Sequence, residues 1–428
     1  MGQTARPDQR PLRSRPAQLT LAPSTLAPQH RGMLDFDEAL ARVLTSATPL
    51  GAERIPLWQA SGRVLAHDVV AETPWPAFDH SAMDGYAVQS GDFSGEGPWT
   101  LPLVGESRTG HPHGSLEPRT TMRIFTGAAL PPGADAVVMQ ENVEAAGALV
   151  RFSRAPRRDE NVRRKGEDMQ PGQVALAHGT RLTGFHLGLL AALDRAEILV
   201  SRRPRVTVLC TGDELRAPGS GGPPNSIPDS NGVALAALAE AAGASVVRAP
   251  LVQDEPQAMR DALAEALAAS DLLLTVGGVS VGDHDVVRPA LESLGVSIDF
   301  WKVRMKPGKP LVLARRERAL VLGLPGNPVS AQVTFALFGM PLLRAMQGDG
   351  APRAAMRRAR LQHPLRQKPG RRGFHRAFVK ADEVALLDNQ ASGAVTAMAW
   401  ANALVVVPEE VSELGAGELV DVLSFADL

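Results

Sequence analysis

The sequence predicts a multidomain α/β protein, with a central, mostly parallel α/β sandwich and two small β-rich domains. Three observations predict this class. The chain has 428 residues, and several cores are expected because a single core seldom grows beyond about 250 residues. Strand-like and helix-like segments alternate from Arg205 to about residue 350. Outside this region, short Val-rich segments are broken every few residues by Gly and Pro, as in small β-rich domains.

The first 32 residues are predicted to form a disordered tail. Pro and Arg dominate this stretch, and it has too few apolar residues to offset the entropy lost on ordering. A transit peptide has a similar Arg-rich, acid-poor composition. The amphipathic pattern of such a peptide is missing here, which favours a solvated basic tail.

An amphipathic helix begins the ordered chain. From Asp35, apolar residues recur at helical spacing, and Pro49 and Gly51 end the pattern. The stretch 55–160 then holds short strand-like segments between Gly and Pro, which predicts the first small β-rich domain.

The segments from Arg205 onwards predict the central sheet. Strands are predicted at 206–210, from Ser245, at 272–276 and in LVLA and ALVLGL, and helices at 230–242, 256–269 and near 286–294. Because these strands are apolar almost throughout, they indicate a mostly parallel sheet covered on both faces. After about Pro352, short strands and turns return, which predicts a second small β domain.

Composition argues against several classes of partner. The net charge of −1 and the 4% aromatic content lack the basic excess and stacking surface of a nucleic-acid binder. The longest apolar run, 233–247, is too short to span a bilayer and contains Glu240, so no membrane partner is expected. Cys210 is the one cysteine, which excludes an intrachain disulfide and a Cys-based zinc site and fits a cytoplasmic location.

Glycine-rich loops follow the predicted strands. In an open α/β sheet, ligands bind beyond the carboxyl ends of the strands, where these loops should converge. The glycines allow backbone N–H groups to approach an anion, and a helix after Asn327 directs its positive end the same way, which predicts a phosphate-sized cradle. We assign to substrate binding the loop residues Gly277, Gly278, Ser280, Pro325, Gly326 and Asn327. No dinucleotide-binding or P-loop signature is present.

Four acids belong to the same loops: Asp213, Glu214, Asp254 and Asp285. Together at a phosphate site they would repel the substrate unless a cation lay between them, and a set of hard oxygen ligands predicts Mg²⁺. Taken singly, Asp213 and Asp254 are also typical helix caps. The presence of all four acids favours the metal site.

Lysines cluster in one segment of an Arg-rich chain. Only six of the 45 basic residues are lysines, yet Lys302, Lys306 and Lys309 lie within eight residues of one another. The two prolines and the glycine of KPGKP predict a rigid turn that presents Lys306 and Lys309 as paired charges for an oxyanion, beside Pro310. Chance clustering on a solvated loop is the alternative.

Seven segments in unbroken order resemble the MoeA family, the molybdopterin molybdenumtransferases or molybdenum insertases of molybdenum cofactor synthesis. The resemblance covers residues 33 to 428. The segments are FDHSAMDGYA at 78–87, IFTGA at 124–128, NVRRKGED at 161–168, TGDEL at 211–215, GGVSVGDHD at 277–285, KPGKP at 306–310 and LPGNPVSA at 324–331.

The resemblance implies an L-shaped subunit that forms a homodimer and has four parts. The expected parts are a mixed linker and dimerisation domain at 33–75 and 160–203, a β-rich domain at 76–159, a MogA/MoaB-like α/β molybdopterin-binding domain at 204–350 and a C-terminal β domain at 351–428. The implied substrates are adenylylated molybdopterin and molybdate, AMP is released, and Mg²⁺ assists. A molybdopterin adenylyltransferase is the expected protein partner.

The resemblance also implies roles for particular residues. The family's functional acids fall on Asp84, Glu214, Asp254 and Asp285, with Thr126 and Arg163 added from outside the α/β domain. Asp84 and Thr126 are expected to complete the partner subunit's site. The oxyanion residues fall on Lys306, Lys309, Pro310, Arg376 and Ser392.

Two departures from the family pattern stand out. The stretch 217–228 is rich in Gly and Pro, with Pro228 where the family usually has Tyr, and the N-terminal tail has no counterpart. Two other functions stay open on the sequence: a molybdopterin adenylyltransferase or related pyrophosphate-cleaving enzyme, and a receptor-clustering scaffold.

Overall fold

The computed structural model describes residues 32–112, 114–278 and 286–428. The predicted tail, apart from Gly32, lies outside these residues. The predicted fold class is confirmed, since a mixed six-stranded α/β sheet is joined to two further six-stranded β sheets and to several two-stranded pairs. The predicted domain bounds stay predictions.

The central sheet has six strands, labelled here β1 to β6. They are β1 Arg205–Cys210, β2 Ser245–Arg248, β3 Leu272–Val276, β4 Ser297–Lys302, β5 Pro310–Arg316 and β6 Ala319–Leu324. Their order is β2-β1-β3-β6-β5-β4. The first four in this order run parallel, whereas β5 is antiparallel to both of its neighbours, β6 and β4. The hairpin between β5 and β6 is too short for the crossover that a parallel pair needs.

Helices cover both faces of this sheet. They are Ser230–Ala241, Pro256–Ala269, Val287–Ser293, Pro328–Thr334 and Met340–Met346, the last two joined by a π-helical turn, Phe335–Gly339. Successive β3 residues point to opposite sides, with Leu272 and Leu274 in one hydrophobic cluster and Leu273 in another. The strands are therefore apolar throughout because both faces are buried.

Within the part of the chain that the structure describes, one helical stretch is long and apolar enough to cross a membrane by length and composition. It is Pro328–Met346, of 19 residues, and 83% of its apolar window is buried inside the protein. The buried helix of a globular core has these same properties, and this one packs in the main hydrophobic cluster. The stretch singled out from the sequence, 233–247, is instead the end of a helix followed by β2.

The N-terminal helix Phe36–Ser46 joins the α/β region to the C-terminal region. Asp35 caps it by accepting a hydrogen bond from the Glu38 backbone N–H at 2.7 Å. The ring centroid of Phe36 lies 5.1 Å from that of Phe338 and 5.0 Å from that of Phe374. The predicted amphipathic helix is thus confirmed, and its apolar face contacts both regions.

The β-rich region contains a six-stranded sheet and flanking pairs. In spatial order the sheet strands are Ala136–Met139, Gly85–Val88, Thr121–Ile124, Trp99–Ser107, Leu149–Phe152 and Val143–Ala146. The pairs are Ala52–Pro56 with Glu197–Ser201, Val69–Val70 with Val174–Leu176, and His80–Ser81 with Val162–Arg163. The helix Gly184–Ala192 and the 3₁₀ turns Leu57–Gln59, Ser90–Asp92 and Gln140–Asn142 complete this half of the chain.

The C-terminal region is a second β unit that takes in part of the lysine segment. Its strands are Met356–Leu361, Arg372–Lys380, Glu383–Leu386, Ala403–Val407 and Leu419–Ser424, with the pair Leu365–Arg366 and Glu413–Leu414, the helix Val395–Trp400 and a terminal 3₁₀ turn, Phe425–Asp427. The short strand Met305–Lys306 pairs with Arg372–Lys380. The KPGKP turn therefore lies at the junction of the α/β and C-terminal regions.

Candidate functional site

A cleft of about 600 Å³ opens at the carboxyl edge of the central sheet. The loops after β1, β2, β3 and β6 all line it, as expected for an open α/β sheet. Of the residues predicted from the sequence, the cleft is lined by Glu214, Asp254, Gly277, Gly278, Pro310, Pro325, Gly326 and Asn327. Ser280 and Asp285 lie outside the described residues.

Hydrogen bonds between the loops after β1 and β2 fix Asp254. The hydroxyl of Thr211 lies 2.5 Å from Asp254 Oδ1 and 3.1 Å from the Val252 carbonyl oxygen. Asp213 Oδ1 in turn accepts the Asp254 backbone N–H at 3.1 Å. The helix Pro256–Ala269 is capped by Glu255, which accepts two backbone N–H groups, so the alternative that Asp254 is the cap is wrong.

Asp213 differs from the other predicted acids because it supports the loop and does not line the cleft. Glu214 does line it, and its carboxylate folds back over Gly212, where a Cβ atom would lie 2.6 Å from Glu214 Oε2. Within the described residues, no group of three acidic, His or Cys side chains could hold a metal. Asp213, Glu214 and Asp254 therefore do not close a metal site by themselves.

Tight glycine geometry brings the floor of the cleft together. Gly277 has a φ of +91°, and a Cβ atom there would lie 2.8 Å from the Thr211 carbonyl oxygen. The left-handed backbone and the close approach to Thr211 both require glycine at this position. The loops after β1 and β3 can pack together only because position 277 has no side chain.

Asn231, which the sequence reasoning missed, is held at the wall of the cleft. Its Nδ2 donates to the Gly326 carbonyl at 2.7 Å, while its Oδ1 is buried with no partner among the described residues. Asp229 is 2% exposed and caps the helix Ser230–Ala241 by accepting a hydrogen bond from the Gly232 N–H. Its carboxylate also pairs with Arg248 at 3.3 Å. The sequence feature that could have identified Asn231 is the Asp-Ser-Asn at 229–231. It begins a helix and follows the loop after β1, at the same edge of the sheet as the cleft.

The helix that follows Asn327 does not offer its first N–H to a ligand. Pro328 has no N–H, and the Val329 N–H donates to the Ser392 carbonyl at 3.0 Å. The helix Pro328–Thr334 therefore contributes to the site by holding the loop that carries Ser392. The C-terminal region already satisfies the Val329 N–H, and the predicted role of the positive helix end in a phosphate cradle stays a prediction.

The KPGKP turn lies at the rim of the cleft. Lys306 and Lys309 are exposed and Lys302 is half-buried. The Val303 N–H donates to the Lys309 carbonyl at 3.0 Å and closes the turn. Gly308 has a φ of +99°, and a Cβ atom there would lie 2.2 Å from Thr334 Oγ1, so glycine lets the turn pack on the helix beneath it.

Arg376 lies buried beneath the loop that carries Ser392. Its Nη2 donates to the carbonyls of Asn389 and Ala391 at 3.0 and 3.2 Å, and burial lowers the pKa of its guanidinium. Its Nε is buried without a partner, and no carboxylate within the described part of the chain pairs with it. The structure thus places Arg376 as a buried cation that orders the Ser392 loop.

His375 shows that positive charges gather at this junction. Burial, together with the nearby charges of Lys306 and Arg376, lowers the pKa of His375 to about 4. His375 is therefore neutral near pH 7, and the charge beside it comes from Lys306 and Arg376.

Asp84 and Thr126 form a separate, exposed pair in the β-rich sheet. Asp84 Oδ1 accepts the Thr126 backbone N–H and hydroxyl, each at 2.8 Å, and these two bonds lower the pKa of Asp84. Arg163 is also exposed and pairs with Glu167 at 3.3 Å. The cleft lining includes no residue from 76–163, so the structure does not bring these three residues into the cleft of the same chain.

Three family models match successive parts of the chain. They are described as the MoeA N-terminal region (domains I and II), at residues 34–193, a probable molybdopterin binding domain, at 207–345, and the MoeA C-terminal region (domain IV), at 358–425.

Proteins similar over nearly the whole chain bear the same family name. A molybdopterin molybdenumtransferase of Haemophilus influenzae is 36% identical, and the match covers 92% of this chain and all of the relative. A molybdopterin molybdenumtransferase 2 of Mycobacterium tuberculosis is 37% identical, covering 92% and 99%. The crystal structure of the molybdopterin biosynthesis MoeA protein of Pyrococcus horikoshii matches with a TM-score of 0.79 and 30% identity, covering 92% and 99%. The motifs, the fold and these matches agree that this chain belongs to the MoeA family.

Proposed function

We propose that this chain inserts molybdenum from molybdate into adenylylated molybdopterin and releases AMP, as a transferase of molybdenum cofactor biosynthesis. Its membership of a family whose relatives are named molybdopterin molybdenumtransferases supports the reaction class. One structural observation supports the site. The glycine loops, the carboxylates of Glu214 and Asp254 and the last residue of the KPGKP turn line a single cleft.

The cleft suits a pterin joined to a nucleotide. A volume of about 600 Å³ lies within the usual range of small-molecule sites. The buried Oδ1 of Asn231 has no partner among the described residues, and a ring N–H of the substrate would satisfy it. We assign the diphosphate to the backbone of Gly277 and Gly278, since both have positive φ and no side chain to block an anion.

A divalent cation fits the side chains that face the cleft. Glu214 and Asp254 are exposed carboxylates there, and Mg²⁺ is usually held by one or two carboxylates together with substrate phosphates and water. We propose that these two residues hold it. When bound, the ion neutralises the diphosphate of the substrate. Thr211 and Asp213 act on the protein side by fixing the backbone and carboxylate of Asp254.

Molybdate is assigned to the junction of the KPGKP turn and the C-terminal region. Lys306 and Lys309 are exposed at the rim, with Ser392 held next to the cleft by its bond from Val329. At an effective dielectric of about 20, one ammonium about 4 Å from an anion contributes up to about 4 kcal/mol before desolvation. Two lysines on a rigid turn can therefore hold a divalent oxyanion beside the pterin, while buried Arg376 orders the Ser392 loop.

We further propose that the chain acts as a homodimer and that Asp84 and Thr126 complete the site of the partner subunit. The helix Gly184–Ala192 buries only Leu190 and leaves Phe185 92% exposed, and Trp58 on the neighbouring turn is 76% exposed. An apolar helix face of this kind is typical of a subunit interface. The Asp84–Thr126 pair is exposed and ordered, and neither residue lines the cleft of its own chain.

The substrate has to be adenylylated before it reaches this cleft. We therefore propose a molybdopterin adenylyltransferase as the partner that supplies it and the cytoplasm as the location, which the single buried cysteine fits. The alternative that this chain is itself the adenylyltransferase is not favoured, because its full-length relatives are named molybdenumtransferases.

Two incubations test this proposal. With adenylylated molybdopterin, the purified protein should release AMP when molybdate is added and give a pterin that activates a molybdenum-free acceptor enzyme. With ATP and molybdopterin but no molybdate, it should form no adenylylated product. Adenylylation in the second incubation, or AMP release that does not depend on molybdate in the first, would instead identify the chain as an adenylyltransferase or a related pyrophosphate-cleaving enzyme.

A further inference from the structure

A second cavity, of about 840 Å³, lies on the opposite edge of the central sheet from the cleft. It is bordered by the first residue of β1, the residues directly before β3 and the hairpin between β5 and β6, and by the segment after the helix Phe36–Ser46. At about 3.3 Å per residue, the six residues of β1 separate the two edges by roughly 20 Å. This cavity is therefore not part of the site described above.

Five arginines line this cavity against two acids. The arginines are Arg202, Arg205, Arg315, Arg316 and Arg318, and the acids are Asp271 and Glu317. Asp271 is already fully engaged, because it accepts two hydrogen bonds from Arg202 at 2.9 and 3.0 Å and the Arg205 backbone N–H at 2.7 Å. The Arg205 guanidinium also lies 3.4 Å from both oxygens of Asp271, so this one carboxylate pairs with two guanidinium groups and has no capacity left for the other three arginines.

The hairpin arginines have no carboxylate partner. The Nη2 of Arg315 donates to the Ser46 carbonyl, and Arg315 forms no ion pair within the described part of the chain. The side chains of Arg316 and Arg318 form neither an ion pair nor a hydrogen bond with any described residue. Arg315 is also partly buried, and burial lowers the pKa of its guanidinium. An incompletely solvated cation without a counter-charge is costly, which favours an anion from solution.

The cavity combines this charge with an apolar floor. Leu50, Leu267, Ala319 and Met346 line it alongside the arginines. Guanidinium groups bind phosphate oxygens through two parallel hydrogen bonds, and an apolar floor accepts a ring. The size and the lining match a molecule with two or more phosphate charges, with room for an organic part.

We propose that the arginine-lined cavity at the amino edge of the sheet binds a small polyphosphate, with Arg315, Arg316 and Arg318 of the hairpin as its main phosphate ligands. The ligand binds away from the catalytic cleft, so it acts on the protein as an effector or as a stabilising anion and not as a reactant. Two sources share this chemistry: a nucleoside diphosphate, whose ring would cover the apolar floor, and free pyrophosphate.

Hydrogen exchange read out by mass spectrometry locates the binding. The full-length protein is titrated with ADP, pyrophosphate or adenosine at low ionic strength, and exchange is followed in peptides covering 267–272 and 315–320. The R316Q/R318Q double variant is compared with R357Q, which removes an exposed arginine of the C-terminal sheet. R318Q alone serves as a milder variant, since Arg318 is exposed on the hairpin.

ADP or pyrophosphate should protect both peptides in the wild-type protein and in R357Q. The affinity should fall at least tenfold in R316Q/R318Q, to a lesser degree in R318Q, and in the wild type as salt is raised. Tighter binding of ADP than of pyrophosphate identifies a nucleotide ligand, and equal affinity identifies the inorganic anion. The proposal is overturned if neither anion protects these peptides at millimolar concentration, if adenosine binds as well as ADP, or if the double variant binds like the wild type.

Discussion

Replacing Asp271 with Asn should open the amino edge of the central sheet. Burial raises the pKa of Asp271, but hydrogen bonds from Arg202 and Arg205 outweigh it and lower the pKa to about 2, from 3.8. The side chain is only 13% exposed, so solvent screens these interactions little. A shift of this size corresponds to about 2 kcal/mol of stability at neutral pH, since one pKa unit is 1.36 kcal/mol.

The assay for D271N is hydrogen exchange of β1 and β3, because a chain of several regions does not unfold in one step. A loss of about 2 kcal/mol should speed exchange of the slowest amides by roughly 30-fold at pH 7. Asp271 has a lowered pKa in the folded state, so its contribution is present above about pH 3.8 and is lost as the pH falls through 2. The difference in exchange rate between the wild type and D271N should therefore disappear as the pH falls over that range. Unchanged exchange at pH 7 would refute the reasoning.

Three further predictions concern the site. The pKa of His375 is lowered to about 4, so NMR should show a neutral imidazole at pH 5.5. The stability of the C-terminal sheet should fall as the pH falls from 6.5 through 4, because the unfolded state then binds a proton that the folded state does not. A charged imidazole at pH 5.5 would contradict this. T211V should loosen Asp254, at a cost of about 1.5–3 kcal/mol for a bond to a charged group, and lower turnover, whereas S220A, on an exposed loop, should leave turnover unchanged. Mixing inactive D84N with inactive E214Q should restore about a quarter of wild-type activity. Half of the dimers are then mixed, and each mixed dimer has one of its two sites intact. No recovery would place Asp84 in its own chain's site.

Much of the fold could be predicted from the sequence, because its signals are local or periodic. The apolar strands and their glycine-rich loops determine where the cleft lies. At Gly277 and Gly308, the structure adds the reason for glycine, because a Cβ atom at either position would clash with a neighbouring residue. The pattern did not predict that β5 is reversed relative to its neighbours, since an apolar strand has the same pattern in either direction.

Side-chain roles were harder to predict. Asp213 and Asp254 both follow strands of the sheet and look alike in the sequence. In the structure, Asp213 accepts the Asp254 backbone N–H and so supports the loop, whereas the Thr211 hydroxyl fixes the Asp254 carboxylate at the cleft. The carbonyl of Ser392 takes the Val329 N–H from a region more than sixty residues away, and no local pattern encodes such a contact. Asn231 lies at the start of a helix, where a polar residue is ordinary, so its role at the cleft wall is visible only in three dimensions.

The role of Glu214 in the cleft is tested most directly by comparing E214Q with E240Q in a single turnover. Both variants remove one exposed carboxylate from the α/β region, but only Glu214 lines the cleft. With adenylylated molybdopterin, molybdate and Mg²⁺ supplied, E240Q should release AMP at the wild-type rate. E214Q should keep the same fold and the same exchange of β1 and β3, and release none. Equal AMP release by the two variants would contradict the assignment of this cleft as the reaction site.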